Sequence, residues 1–383
     1  MKKYSKIYLS IVAIVFAFWG CGSSGTATAE SGSDGRNHFT MPRDGTCGAG
    51  EFLRIKTGQC FPIQKRDWGF VAFTPPQENL YRLSACSEEA LRDLLEQIPS
   101  AGGKVILPEC NLTLHDTIVL YDNTILEGAG TGKTVINAAH GNDILSLRGR
   151  NIVVRGITFD GQKRALGGIV GTNNRGNILI DGCEIKNLNG SGIYLVTAAA
   201  QADTQITLRA NAISGTLHAI VIKTLASAKM EILSNHLFHN REYGIDMSTT
   251  ADIEVAGNYM HDNHYAGAKS PQADRIYYHH NDINFNGTKD DRENSAGIVY
   301  MGSNPTAKIY VEYNDLSYNY GLAFATWDGV FDYLLLRENN VTGSEDSNHY
   351  NIRATGVGQI DLYGEQGAIW VGEGNEGRIH RHP

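Results

Sequence analysis

Five side chains in the middle of this 383-residue chain, His218, Lys223, Tyr243, Asp246 and Lys269, are of the types that move protons and hold anions. A lysine can neutralise a carboxylate and stabilise the enolate formed when the neighbouring proton leaves. Tyr243, His218 or a lysine of depressed pKa can take that proton, and a tyrosine can return one to a leaving oxygen. Asp246 would orient a lysine or join a cation site. Hydrolysis by paired carboxylates is the weaker reading, because it needs an acid and a base across the bond and this group offers one acid. Read without turnover, the same residues are a saccharide-binding surface. Read without function, they are a solvated face with Asp246 and Lys269 as a surface ion pair worth about 0 to 1 kcal/mol.

These residues share a face only if the chain repeats. Aligned on short apolar-x-apolar strands, it shows a period of about 25 residues, a length typical of one solenoid coil, with starts at Ile152, Ile178, Ile206, Met230, Ile253, Ile276, Ile309 and Leu334. At one fixed offset stand Asn211, Asn235, Asn258, Asn281, Asn314 and Asn339, and farther on a second column, Asn240, Asn263, Asn286 and Asn319. The pattern predicts an all-β, right-handed parallel β-helix of three short strands per coil, each coil stacked on the next. Asparagine suits its turns, since it tolerates left-handed backbone and its amide can bond along the stack. Cys183 occupies the ladder offset one coil earlier and reads as a small buried side chain. The third strands begin near Gly192, Ala219, Gly244, Gly267, Gly297 and Gly321. Alternation then sends Tyr194, Val221, Asp246, Lys269 and Val299 outward, with Lys223 and Ser248 in the next outward column and His218 and Tyr243 in the one before. Tyr194 and Ser248 are expected to contact substrate. On the first strands, Tyr277 and Tyr310 should stack outward at consecutive levels, as sugar-ring platforms or as plain cross-strand packing.

Upstream, Ser87 to Gln97 has an N-cap serine, early acids and one apolar face, which predicts a short amphipathic helix capping the first coil. It precedes Gly102-Gly103-Lys104-Val105-Ile106-Leu107-Pro108 and Asn123-Thr124-Ile125-Leu126-Glu127-Gly128-Ala129-Gly130. Helix, GG-x-V-x-LP strand and T-x-L-x-G-x-G turn together resemble the pectin-lyase-like family of parallel β-helices, over roughly residues 84 to 345. Within it, Tyr243-Gly244-Ile245-Asp246 resembles the first part of the Y-G-x-D-P-H motif of alginate (mannuronan) C5-epimerases, and Thr158-Phe159-Asp160-Gly161 resembles an earlier strand of those enzymes. Met247 and Ser248 stand in place of the Pro and His, and Pro271 in place of a second Asp. The resemblance implies that Tyr243 and Asp246 act at the active site. It points to a lyase or C5-epimerase on a uronate-containing glycan, both of which start by removing the proton next to the carboxylate. A non-catalytic glycan-binding or adhesive surface lipoprotein is the alternative.

The formal charge of −8 and the lack of a basic patch argue against a nucleic-acid partner. An acidic polysaccharide stays open, since a local lysine cluster suffices to hold it. Lys2, Lys3 and Lys6, the apolar run Ile7 to Trp19 and then Gly20-Cys21 follow the layout of a secretory signal. A small residue before cysteine resembles the lipobox of bacterial lipoproteins, which implies acylation of Cys21 and a lipid anchor in the cell envelope, in the outer membrane, with simple secretion as the alternative. The expected divisions are a signal peptide at 1–21, a flexible tether at 22–37, a small appendage at 38–83 and the β-helix at 84–383. In an oxidising compartment, Cys47 with Cys60 and Cys86 with Cys110 are the expected disulfides, since each pair brackets a short stretch. No spacing suggests a metal site. No cofactor is required by the chemistry; the charged insertion Gly287 to Asn294, in the one long repeat, could bind calcium or wall a cleft, but it lacks the D-x-D-x-D-G spacing and a solvated loop is the favoured reading. The expected assembly is a monomer.

Overall fold

The computed structural model describes residues 29–31, 37–39, 47–48, 50–63, 74–75, 79–172, 176–197, 204–224, 228–249, 251–270, 273–290, 295–327, 329–371 and 378–382. The expected signal peptide, with Cys21, lies outside these residues, as does most of the expected tether. Ala29–Ser31 pairs antiparallel with Asn37–Phe39 at the end of that stretch.

From Leu80 onward the chain winds as a right-handed parallel solenoid. Each coil gives one strand to each of three sheets, as in Ile152–Arg155, Thr158–Asp160 and Ile169–Thr172. Among the described residues the first sheet has thirteen strands, the second eight and the third eleven. The strand starts read from the sequence lie side by side: Ile152, Ile178, Ile206, Met230, Ile253, Ile276, Ile309 and Leu334 occupy one register across the first sheet. All eight are fully buried, each worth about 1.5 to 3 kcal/mol of apolar transfer. The first sheet opens with Leu80–Arg82, paired parallel to Gly103–Ile106, so the solenoid begins inside the stretch expected as appendage. It runs to Ile379–His382, and the Gly-rich end completes the last coils. In the third sheet, Ile298 pairs with Phe324, which makes Ala323 rather than Gly321 the equivalent of Gly297.

The helix spans Glu88–Glu96, with the Ser87 hydroxyl accepting from the Ala90 amide at 3.2 Å. Leu91 is buried, and Arg92 donates to the carbonyls of Asp116 and Thr117, pinning the helix over the first coil. The second and third sheets end at this point, and the helix protects their end from pairing with another chain.

The asparagines are buried at the turn from first to second sheet. Each side-chain oxygen accepts the backbone amide and the side-chain amide of the preceding asparagine, as Asn258 does from Asn235 at 2.9 and 3.0 Å. Each side-chain nitrogen also reaches a carbonyl of the coil before, Ile232 in the case of Asn258. Left-handed backbone belongs to the residue just ahead, namely Ala210, Ser234, Gly257, His280, Tyr313 and Glu338. Asparagine is therefore selected for its amide and not for its φ. The second column repeats the device between second and third sheets, from Thr216 through Asn240, Asn263, Asn286 and Asn319 to Ser344. Cys183 heads the first ladder: it is buried, its amide donates to Asn211, and burial pushes its thiol up to about 12.

Disulfides join Cys47 to Cys60 and Cys86 to Cys110, as the spacing predicted. Such bonds belong to chains that fold outside the reducing cytosol. No helix among the described residues is long and apolar enough to cross a membrane. The Cys47–Cys60 bond closes a hairpin, Glu51–Arg54 with Gln59–Pro62, that lies along the solenoid. Phe52 is buried against Leu233 and Ala256, and the amide of Ile55 donates to the carbonyl of Gly257. Arg54 makes two bonds to Asp282, at 2.8 and 2.9 Å, and Lys56 reaches Asn284 and Asp315. The hairpin thus sits where the second sheet stops at Asp282–Asn284 and continues only as isolated bridges.

Candidate active site

The third sheet carries the predicted columns in register. Tyr194, Val221, Asp246, Lys269 and Val299 are successive partners, as are Val196, Lys223 and Ser248. Asp246 and Tyr243 come from the strand Tyr243–Thr249, Lys269 from Ala266–Lys269, and His218 from the turn before Ile220–Thr224. Inward Ile220, Ile245 and Ala268 anchor these strands in the core, which fixes the outward side chains by alternation.

Four of the residues meet. The rings of His218 and Tyr243 lie parallel, 2° apart in plane and 5.7 Å between centroids. Lys269 Nζ stands 4.9 Å from the centre of the Tyr243 ring and 3.6 Å from Asp246 Oδ1. That carboxylate and ammonium keep 14% and 24% of their exposure, so they are not a freely solvated pair. Lys223 is exposed on the flank, its ammonium 5.8 Å from the Tyr194 ring, with Ser248 beside it in register. On the other side the face turns apolar. Ala266, Ala296, Val299 and Ala325 are buried, with Tyr243, Met301, Trp327 and Tyr350 packed against them.

The two rings are set to opposite roles. Burial lowers the pKa of His218; Asp246 and Glu242 pull it back up, while Lys269 and Lys223 add to the lowering. The imidazole is therefore neutral at pH 7 and able to accept a proton. Burial, then Asp246 and Glu242, push Tyr243 up to about 12, so its phenol keeps its proton and can give it away. Glu242 Oε2 lies 3.4 Å from His218 Nε2, placed to steady an imidazolium, and Nδ1 is enclosed. Tyr265 packs against Tyr243 at 5.6 Å. Neither Glu242 nor Tyr265 was singled out from the sequence. Both sit one position before the His218–Tyr243–Ala266 column, so carrying the register one residue back finds them.

The other platform is not there. Tyr277 and Tyr310 lie on the first sheet, away from Tyr243, and meet edge to face at 6.1 Å. Tyr277 is fully buried, stacked on His279, so it cannot present a face to a sugar. The packing alternative holds for this pair. On the second sheet, His236 and His261 meet through their Nε2 atoms at 2.8 Å. Of the charged insertion, Asp291, Arg292, Glu293 and Asn294 and, elsewhere, Pro271 lie outside the described residues. Among the described residues the one cluster with three metal-binding side chains is Cys47, Glu51 and Cys60, and both cysteines are engaged in a disulfide.

Residues 109–260 match the family model described as a right-handed beta helix region. No curated protein matches the sequence at a significant level. Among solved structures, the A-module of Azotobacter vinelandii mannuronan C-5 epimerase AlgE4 aligns with a TM-score of 0.57 and 17% identity, over 76% of this chain and 90% of that one. The A-module of the same organism's mannuronan C-5 epimerase AlgE6 aligns with a TM-score of 0.56 and 16% identity, over 77% and 95%. At that identity the likeness is one of fold.

Proposed function

We propose that this chain is a polysaccharide-active β-helix protein that removes the proton next to the carboxylate of a uronate in an acidic glycan, as a lyase or a C5-epimerase. The observation that carries the reading is the His218 ring stacked on Tyr243, with Lys269 above the same tyrosine. The epimerase names of the two structural neighbours support the same class of substrate.

Lys269, held by Asp246, pairs with the uronate carboxylate and stabilises the enolate as it forms. His218 takes the C5 proton, and the imidazolium is then stabilised by Asp246 and Glu242. The electron pair left on C5 moves into the carboxylate as the enolate. Its collapse in a lyase breaks the C4–O bond, and Tyr243 protonates the departing oxygen to leave an unsaturated end. In an epimerase the enolate is reprotonated at C5 from the opposite face, with Tyr243 as the donor. Lys223, Tyr194 and Ser248 would hold the neighbouring sugar. No cofactor is needed for these steps. The chain acts after export, with Cys21 as its lipid anchor.

Both outcomes begin with loss of the C5 hydrogen, so the test follows that atom. Full-length protein is incubated with acidic polysaccharides in deuterated water, and unsaturated ends and deuterium at C5 are measured by NMR. Tyr243→Phe should slow the reaction by about 10²- to 10⁴-fold, the range of one general acid or base. If no glycan gains either mark, the enzyme reading falls and a glycan-binding surface lipoprotein takes its place.

A further inference from the structure

At the turn between second and third sheets, one residue per coil adopts left-handed backbone: Gly215, His239, Asp262, Phe285, Tyr318 and Gly343 in succession. Glycine and aspartate suit that conformation, whereas a bulky side chain there costs about 1 to 2 kcal/mol. Phe285, at φ 57°, and Tyr318, at φ 58°, bear this cost and are also solvent-exposed, at 43% and 52%. Neither ring gains a buried place in return. The two lie face to face, 8° apart in plane and 5.7 Å between centroids, and form an exposed apolar platform two coils long in which one ring is stacked on the other.

An open cavity of about 310 Å³ adjoins the platform, lined among others by Arg241, Asp262, His264, Phe285 and Tyr320. That volume is at the lower end of small-ligand sites. Arg241, which lines the cavity, is fixed by its bonds to the carbonyls of Leu188 and Asn189, and Lys289 stands 5.9 Å from the ring of Tyr320, another lining residue. It is also joined to the patch on the third sheet: the His264 ring is 4.9 Å from Tyr265, which is 5.6 Å from Tyr243.

From this we infer a second saccharide subsite, in which a pyranose ring packs against the exposed stack of Phe285 and Tyr318 while its acidic group is met by Arg241. It rests on the acidic-glycan reading and extends it around the corner of the solenoid. The strained aromatic positions are then the cost of a binding surface. A chain held at both places is longer than one engaging only the Tyr243 face, which makes length the variable to test.

The probes are short and long oligomers of mannuronate, guluronate, galacturonate and glucuronate, titrated calorimetrically into the full-length protein. Phe285→Asn combined with Tyr318→Asn removes both rings and keeps a residue that tolerates the backbone. The variant should bind the long oligomers about 10-fold more weakly, a change of about 1.4 kcal/mol. Its affinity for short ones should be unchanged, and its melting temperature should be equal to or above that of the unsubstituted chain. Equal affinity for long oligomers overturns the subsite, and a lowered melting temperature with unchanged affinity assigns the rings to packing. If the unsubstituted chain binds none of the oligomers, the acidic-glycan reading itself fails, which is seen without any variant.

Discussion

Tyr243 is pressed between an imidazole and an ammonium, and burial together with the carboxylates of Asp246 and Glu242 makes its proton hard to remove. The pH dependence of turnover follows from the two shifts. His218 must be neutral to act as base, and its pKa lies below the ordinary value of about 6.5. Activity should therefore be complete at neutral pH and fall only on acidification through the depressed imidazole pKa. The phenol, near 12, should leave the alkaline side flat well past neutrality. A pH profile of the rate at which unsaturated ends or C5 deuterium appear checks both limbs, and an acid limb at or above about 6.5 would exclude His218 as the base. Glu242→Gln should shift that acid limb downward, because it removes a carboxylate that favours the imidazolium. The outward columns of the third sheet were legible in the sequence because strand alternation has a period of two and the coil length is nearly constant. The burial of Tyr277 was not, since no pattern within one strand tells which face another part of the chain will cover.

Among the elements, the asparagine ladder holds the turns in place. Asn258 takes part in bonds to Asn235, Ile232, Ala256 and Asn281, so Asn258→Ala leaves several buried groups unpaired at once. A loss of about 2 to 4 kcal/mol is expected from unpaired buried polar groups, read as a lower urea midpoint. Asn258→Asp should cost a similar amount, because a carboxylate cannot donate to Ile232 or Asn281. Six asparagines at one offset made the ladder visible before any coordinates, but its reason was misassigned in part. The left-handed residue is the one before, which can be Ala, Ser, His, Tyr or Glu and so leaves no compositional mark. The hairpin is a second case. Its disulfide was readable from the spacing, yet its docking on Asp282 and Asp315 joins residues more than 200 positions apart. Arg54→Ala should strand the buried Asp282 carboxylate and cost roughly 3 kcal/mol, as when one partner of a buried pair is removed. Hydrogen exchange should then rise in Glu51–Pro62 while the coils stay protected.

At the scale of the whole molecule, acid should weaken the solenoid. Burial lowers His236 to about 3 and His280 to about 4, both beneath the value near 6.5 expected in the unfolded chain. Between those limits the unfolded state binds more protons, so stability is full above about 6.5 and drains away as pH falls toward 3. Melting temperature measured across that window should drop steadily, and His236→Asn should flatten part of the slope. The fold as a whole was the most legible level, because a solenoid writes the same instruction once per coil and errors at one coil are outvoted by the rest. The hairpin breaks this locality. It precedes the coils in the chain, but the groups that receive it, from Ser234 to Asp315, are among the later ones to be made. A chain emerging from its amino end must hold residues 51–62 in reserve until the coils that carry Asp282 and Asp315 have closed. Docking of the hairpin thus reports that the middle of the solenoid is finished, and a truncation ahead of Leu233 would leave that segment with nowhere to go.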